Sequence, residues 1–267
     1  MAARRAATAS RALAMRNRLL NLYTRNAKVG AGIQAEGNNI YLYDFIAGSE
    51  SDAQWWGGIS AEGFTRQLLG MTGDVSVRID CPGGDVFGGR AIAQAIREYD
   101  GKVTCHIDGL AASAASYIAI SGDHVVAAPG AFMMIHRAWT LMIGNSADFR
   151  AEADLLDKID TSIAASYAAK AGGDTDWIAL MDKESWFTGD EALALGLIDE
   201  VLAEQSSKPG NRGQRGWNLS AFDHPPVNKI GGDRSEQPAE GDEQDPVEND
   251  ISARERRLRV DLLTRTA

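Results

Sequence analysis

The sequence predicts an α/β domain in which short strands alternate with helices. Three observations lead to this fold class. Apolar residues alternate with polar ones in short runs such as 75–79 and 103–107, as they do in half-buried strands. Between these runs apolar residues recur at helical spacing, and the connections are short and contain glycine or proline. This alternation of strands and helices is typical of α/β domains.

The first half of the domain is predicted to contain three strands and three helices. Ser60 is a suitable N-cap for the first helix, the sequence Pro82-Gly83-Gly84 breaks the second strand, and Gly109 is expected to end the third. The predicted elements are, in order, a strand at 40–46, a helix after Ser60 with Phe64, Leu68 and Leu69, a strand at 75–79, a helix with Ala91, Ile92, Ala95 and Ile96 on one face, a strand at 103–107 and a buried helix of small residues at 110–121.

The second half contains the longest predicted helix, which begins at Ser146, ends near Ala171 and carries apolar residues at helical spacing. Thr188 and Glu191 have the spacing of a capping box, and Gly196 suits a left-handed helix end. The predicted elements are strands at His124–Ala127 and Phe132–Ile135, the long helix, a short helix capped by Asp174 with Trp177 and Leu180, a helix after Thr188, and a last strand with Leu197, Ile198 and Val201.

Charge divides the 267-residue chain, whose net charge is −10, into three parts. Residues 1–35 carry seven basic residues and no acid, whereas residues 36–205 carry 10 basic and 26 acidic residues. Residues 206–267 carry 10 basic and 11 acidic residues and five of the seven prolines. We therefore expect a basic N-terminal arm (1–35), an acidic globular domain (36–205) and a polar, largely disordered C-terminal tail (206–267).

The two appendages allow more specific expectations. The arm resembles an organellar transit peptide because it is rich in arginine and lacks acids, and a solvated or partner-bound helix is the alternative. In the tail, residues 233–250 hold eight acids and one arginine, which favours a disordered linker. Residues 252–265 have the spacing of a basic helix.

Composition also excludes several classes of protein. The two cysteines, Cys81 and Cys105, are too few for a disulfide framework or a four-cysteine zinc site. No run of 18 apolar residues is present, so no membrane span is expected. The acidic body argues against nucleic acid as the main partner.

Three short segments contain candidate functional residues. At Asp80-Cys81-Pro82-Gly83-Gly84-Asp85 a strand enters a Gly-Gly turn, whose backbone N–H groups can approach an oxyanion closely. At 109–116, Gly-Leu-Ala-Ala-Ser-Ala-Ala-Ser, a serine precedes an apolar helix, where the helix dipole favours developing negative charge. At 133–137, Met-Met-Ile-His-Arg, a histidine follows an apolar strand that would hold a general base rigidly. Taken singly, each also fits a structural role: an ordinary turn, close helix packing and a core histidine.

Together the three segments resemble the motifs of the ClpP family of serine peptidases. The turn resembles the family's Ser-Pro-Gly-Gly sequence with Cys81 in place of the serine, and the other two segments resemble its nucleophile and histidine motifs. The similarity runs from about Asn38 to Val201. It implies a ClpP/crotonase-like fold of repeated β-β-α units with a long protruding helix, and peptidase activity with neither a metal nor an organic cofactor.

The resemblance also implies individual roles. Ser113 would be the nucleophile, His136 the general base, and the N–H groups of Gly84 and Ala114 the oxyanion hole. Ser116 corresponds to a small residue that takes no part in the chemistry.

The third member of the triad has two candidates. Counting back from the Gly-Leu-Ile-Asp sequence at 196–199, the family's aspartate falls on Glu184, and Asp182 is the alternative. A glutamate can orient an imidazole as an aspartate does. The sequence departs from the family at Arg137-Ala138, where the usual proline after the histidine is missing.

The sequences at 184–188 and 144–148 resemble the bacteriophage and prophage branch of the family, whose members are prohead or head-maturation proteases. This implies a serine endopeptidase that cleaves capsid or scaffold proteins, and itself, inside assembling proheads in the cytoplasm of a bacterial host. The long helix corresponds to the element through which family rings meet, so we expect a ring-forming homo-oligomer.

Three other functions remain open. The chain could be a general ClpP-type chambered protease that works with an ATP-dependent unfoldase, which the transit-peptide character of the arm favours. It could be a crotonase-type enzyme that binds acyl-CoA, although the pair Ser113 and His136 argues against this. The tail could act as a non-enzymatic scaffold that binds capsid protein.

Overall fold

The structure is a computed structural model that describes Asn26 and residues 33–203, 217–219 and 222–226. The strands are β1 (Gln34–Glu36), β2 (Asn39–Leu42), β3 (Ile46–Ala47), β4 (Ile59–Ser60), β5 (Val75–Cys81), β6 (Val103–Ala112), β7 (His124–Ala127), β8 (Phe132–Ile135), β9 (Ser185–Thr188) and β10 (Glu200–Val201). The helices are α1 (Glu50–Trp56), α2 (Ala61–Leu69), α3 (Val86–Arg97), α4 (Ala114–Ala119), α5 (Ser146–Ala171), α6 (Trp177–Asp182) and α7 (Gly189–Ala194).

The main sheet is largely parallel and has the order β1-β2-β5-β6-β7-β10. Strand β1 is antiparallel to β2, and the other neighbours on this path are parallel. The long strand β6 divides its pairing, because residues 104–107 pair with β7 and residues 110–112 pair with β8. Strand β8 in turn pairs antiparallel with β9. This arrangement confirms the predicted α/β class and the ClpP/crotonase-like fold with its long helix.

The hydrophobic core lies between the sheet and the helices. Val75, Val77 and Ile79 alternate along β5 with their side chains buried, and Ile92 and Ile96 of α3 belong to the same core. A second, smaller cluster lies on the part of the sheet that β6 and β8 share, and it includes three residues of the tail. Its buried members are Leu110, Ala112, Phe132, Met134, Trp217, Leu219 and Phe222.

The predicted starts or ends of three helices are confirmed. The long helix spans Ser146–Ala171, and Asn145 forms a capping box with Asp148 at its start. Ser60 caps α2 by accepting a hydrogen bond from the Gly63 N–H. Thr188 and Glu191 form the predicted capping box of α7, and Gly196 has a φ of +77°.

Four predictions were wrong. The strand predicted at 40–46 is two strands, β2 in the main sheet and β3, which pairs with β4 in a separate two-stranded sheet. Gly109 does not end its strand, because residues 110–112 stay extended and pair with β8, so the predicted helix at 110–121 is reduced to Ala114–Ala119. Helix α6 is capped by Asp176 rather than Asp174, since the Asp176 carboxylate accepts from the Ala179 N–H. The last strand contains only Glu200 and Val201.

The tail is partly packed on the domain rather than separate from it. Trp217, Leu219 and Phe222 are buried, and Asn218 exchanges hydrogen bonds of 3.0 and 2.7 Å with Asn26 of the arm. The acidic stretch at 233–250, the predicted basic helix at 252–265 and most of the arm lie outside the described residues. Within the described ranges, none of the helices has the length and apolar character needed to cross a bilayer.

Candidate active site

The Gly-Gly turn after β5 lies directly against Ser113. Gly83 and Gly84 have φ values of +98° and +144°, which only glycine adopts readily. A Cβ atom on Gly83 would lie 2.6 Å from the Cβ of Ser113, and one on Gly84 would lie 2.2 Å from the carbonyl oxygen of Ile46. The two glycines are therefore required both by the backbone conformation and by the close approach of three chain segments.

Ser113 is the residue between β6 and α4. Its φ of +54° is unusual for a residue with a side chain, and it is held by a hydrogen bond of 2.9 Å from its N–H to the Met134 carbonyl. The Ser116 hydroxyl donates to the Ser113 carbonyl at 2.6 Å and lies 2.7 Å from the Tyr167 hydroxyl. Backbone strain of this kind persists where the surroundings over-determine the conformation, and it clusters at functional sites.

His136 follows β8 and faces Ser113. Its Nε2 lies 2.7 Å from the Ser113 Oγ. Because β8 pairs with the end of β6, the two residues are brought together by the sheet although they are 23 residues apart in sequence. Burial lowers the pKa of His136 to about 4, so the ring is neutral near pH 7.

The candidate oxyanion donors, the backbone N–H groups of Gly84 and Ala114, belong to residues beside Ser113 and His136. Ala114 is the first residue of α4, where N–H groups have no partner within the helix. The bridge between Ile46 and the turn uses the Gly83 carbonyl and the Asp85 N–H, which leaves the Gly84 N–H outside it. Gly84, Ala114, Ser113 and His136 all line one cavity. Four of the residues predicted from sequence are therefore brought together.

Neither of the two candidate acids is hydrogen-bonded to the imidazole in the described part of the chain. Glu184, with a φ of +51°, accepts hydrogen bonds from the Trp186 Nε1 at 3.2 Å and from the N–H groups of Asp223 and His224 at 2.8 and 2.7 Å. Asp182 accepts from Arg137 Nε at 2.7 Å, an interaction that lowers its pKa. Among the described residues, the only side-chain hydrogen-bond partner of His136 is Ser113.

Asp160 is a buried acid near the site that sequence reasoning missed. It is 2% exposed, and its carboxylate accepts from the Ala138 N–H at 2.7 Å and from Arg137 Nη1 at 3.3 Å. Arg137, which stands at the departure from the family pattern, thereby joins Asp160 to Asp182. These contacts hold the chain immediately after His136. The sequence contains one indication of this role: Asp160 lies among the apolar residues Ile159 and Ile163 of the predicted long helix.

The tail forms part of the site, which sequence reasoning also missed. The Phe222 ring lies edge-on to the rings of His136 and Trp186, with centroids 5.7 and 5.8 Å apart. The Trp217 Nε1 donates to Asp80 at 2.8 Å. The sequence contains one indication of this contact: the polar tail has three large apolar side chains close together, at 217, 219 and 222.

The arrangement can perform nucleophilic chemistry. A neutral imidazole with its proton on Nδ1 accepts the hydroxyl proton of Ser113 at Nε2, and the two N–H groups can stabilise an oxyanion beside it. Within the described part of the chain, no group of three or more His, Cys, Asp or Glu residues is placed to hold a metal ion.

Comparison with known proteins identifies a family. A family model described as Clp protease matches residues 60–205, more than half of the chain. A protein named ATP-dependent Clp protease proteolytic subunit 3 from Streptomyces coelicolor is 30% identical over 54% of this chain and 70% of its own length. Proteins named ATP-dependent Clp protease proteolytic subunit from Leuconostoc citreum and Pleurastrum terricola are 31% and 34% identical, over 52% and 48% of this chain and 72% and 67% of their own lengths. Since the family model covers more than half of the chain and includes both Ser113 and His136, the chain belongs to the Clp protease family of serine peptidases.

Proposed function

We propose that this protein is a serine endopeptidase whose nucleophile is Ser113 and whose general base is His136. The observation that carries the proposal is the distance of 2.7 Å between Ser113 Oγ and His136 Nε2, at a serine with a φ of +54°. A structural serine needs neither an imidazole partner nor a strained backbone. We take residues 36–205 as the peptidase domain.

The mechanism follows from the positions of the atoms. His136 removes the hydroxyl proton as Ser113 Oγ attacks a peptide carbonyl, and the carbonyl oxygen becomes an oxyanion. The N–H groups of Gly84 and Ala114 stabilise this oxyanion, and His136 then gives its proton to the leaving amine. Water repeats the cycle on the acyl-enzyme and regenerates the serine.

Glu184 is our candidate for the acid that orients His136 through Nδ1. In the structure its carboxylate accepts hydrogen bonds from two backbone N–H groups of the tail, those of Asp223 and His224. Phe222 also lies between the rings of His136 and Trp186. Glu184 must therefore exchange its tail partners for His136 before it can complete a triad, and we assign the docked tail to a resting form of the enzyme.

We propose assembling phage proheads in the bacterial cytoplasm as the place of action, with capsid or scaffold proteins and the chain itself as substrates. The resemblance of residues 184–188 and 144–148 to phage maturation proteases supports this. A second groove adjoins the active site and is lined by Phe87, Trp139 and Leu155, which suits an extended protein segment. We also propose a ring-forming homo-oligomer, supported by the exposed side chains of Phe149 and Leu155 on α5.

Labelling by a fluorophosphonate, which reacts with activated serines, tests the proposed chemistry. The full chain should be labelled at Ser113, and Ser113→Ala should abolish both labelling and cleavage of a co-expressed capsid or scaffold protein. Ser121→Ala is the matched control, because its hydroxyl donates to the Ile118 carbonyl and does not contact Ser113, and it should still be labelled. Cleavage that persists in Ser113→Ala would refute the proposal.

A second candidate is a chambered protease that depends on an ATP-driven unfoldase. The names of the relatives, ATP-dependent Clp protease proteolytic subunits, favour it. Degradation of a folded substrate only when ATP and an unfoldase are both present would support this function. Cleavage of capsid or scaffold protein without ATP would support prohead processing instead.

A further inference from the structure

An arginine with unsatisfied donors lies in the cavity that holds Ser113 and His136. Arg90, on α3, lines this cavity, and its Nε and Nη2 atoms are shielded from solvent and have no hydrogen-bond acceptor among the described residues. The guanidinium group is always protonated in proteins. Because a buried charge is unfavourable unless it is paired, the cavity favours an anionic ligand.

Two other arginines of this protein bind carboxylates through the same two atoms, Nε and Nη2. Arg78 donates from Nε and Nη2 to the two oxygens of Asp108, and Arg137 donates from the same two atoms to Asp182. This side-on geometry is bidentate and specific for planar anions. Arg90 has the same pair of donors available, so the ligand that fits it is a carboxylate.

The surroundings of Arg90 would strengthen such a pair. Its guanidinium carbon lies 5.8 Å from the centroid of the Tyr117 ring, and Ile163 and Tyr167 line the same cavity. Among the described residues, no Asp or Glu lines it. Because apolar walls exclude water, an ion pair here is screened less than the exposed pair of Arg137 with Asp182. The acid must come from outside the described residues.

The position of the cavity identifies the source of that acid. It is lined both by the Ser113 nucleophile and by the two oxyanion donors at Gly84 and Ala114. A peptide whose carbonyl carbon is attacked by Ser113 carries its own side chain on the adjacent Cα, so this side chain enters the adjoining space. We propose that Arg90 selects substrates in which the residue that supplies the attacked carbonyl is acidic, an inference that rests on the proposed serine peptidase function.

Fluorogenic peptides that differ only at this residue test the proposal. The full chain should cleave the glutamate peptide with a kcat/KM at least about 10-fold higher than that for the glutamine peptide, because glutamine has the same shape without the charge. Arg90→Gln should reduce the Glu:Gln ratio to about 1, and Arg90→Lys should keep part of it. Arg97→Gln is the matched control: Arg97 contacts the Tyr117 ring and hydroxyl but does not line the cavity, and its substitution should leave the ratio unchanged.

The ratio makes the test independent of overall activity, since both peptides are measured on each variant. A wild-type ratio near 1, or an equal ratio in the wild type and Arg90→Gln, would overturn the role of Arg90. Fluorophosphonate labelling of Ser113 in the wild type would show in the same samples that the serine chemistry stands. Absence of labelling, together with cleavage by Ser113→Ala, would refute the proposed function itself.

Discussion

The contact between the tail and the active site leads to a quantitative prediction. Phe222 is 4% exposed and contacts the rings of His136 and Trp186, while the adjacent backbone binds the carboxylate of Glu184. Replacing Phe222 by alanine removes the ring but leaves the tail in the chain. We expect this variant to react faster with a fluorophosphonate, because Glu184 becomes free to reach His136.

The expected size follows from the burial of the Phe222 ring and its two aromatic neighbours. Burying a phenylalanine side chain contributes about 2–3 kcal/mol, and each edge-on aromatic pair adds about 0.5–1.5 kcal/mol. These contributions sum to about 3–6 kcal/mol, and because contributions within one cluster are not additive we take the lower end, about 3 kcal/mol, as the decrease in docking free energy. Each 1.4 kcal/mol changes an equilibrium about tenfold, so the undocked population should rise roughly 100-fold. The labelling rate should rise by about 10- to 100-fold, because it follows that population until undocking is complete.

The assay is the second-order rate of Ser113 labelling, measured by intact mass at pH 7. His224 offers a matched pair of variants that tests the backbone hydrogen bonds from the tail to the carboxylate. His224→Pro removes the N–H group that donates to Glu184 at 2.7 Å, whereas His224→Ala keeps it. A charge-assisted hydrogen bond contributes about 1–2 kcal/mol at a partly exposed site, so His224→Pro should accelerate labelling several-fold, while His224→Ala should not.

Two results would refute this reasoning. One is a Phe222→Ala protein that keeps its circular dichroism spectrum and its labelling rate. The other is equal rates in His224→Pro and His224→Ala, which would show that the tail N–H groups do not control the acid. Leu69→Ala, which truncates a side chain that is 74% exposed on α2, controls for nonspecific effects of removing apolar surface.

Three further predictions concern pH, stability and assembly. The labelling rate should fall below about pH 4, where His136 gains a proton, rather than near its ordinary pKa of 6.5. Contact with Glu184 after undocking of the tail should move this fall to higher pH, because a carboxylate stabilises the imidazolium; a pH–rate profile tests both expectations. Asp160→Ala should lower the free energy of unfolding by about 2–4 kcal/mol in urea titrations, because it leaves a buried N–H without an acceptor and a guanidinium with one carboxylate fewer. Phe149→Asp with Leu155→Asp should shift sedimentation towards the monomer if α5 forms the ring contact.

The parts of the site that depend on local backbone chemistry could be predicted from sequence. Gly83 and Gly84 indicate a turn with positive φ, and a serine before an apolar helix indicates a helix N-terminus. His136 was identifiable because it follows an apolar strand. The resemblance to a known family then joined three segments that periodicity alone leaves separate.

The errors arose where tertiary pairing overrides local preference. Residues 110–112 are small and would suit a helix, but β8 pairs with them and keeps them extended. The same pairing places Met134 where its carbonyl can accept the Ser113 N–H. The position of the tail was not predictable, because Trp217 and Phe222 pack on a patch formed by β6 and β8, and no local pattern encodes that distant contact.

The proposed nucleophile and the proposed acid differ in how strongly the fold determines their positions. Ser113 is held by its N–H, by its carbonyl and by the close approach of Gly83, so its conformation has few alternatives. Glu184 lies between α6 and β9, and two of its three hydrogen-bond partners belong to the tail. A change in the tail therefore acts on the acid and leaves the nucleophile in place. For this reason, tail variants should change the reaction rate of Ser113. Because Phe222 packs on β6 and β8, they should also lower the free energy of unfolding, by no more than the docking free energy that they remove, and a thermal unfolding scan beside each labelling measurement reports this second effect separately.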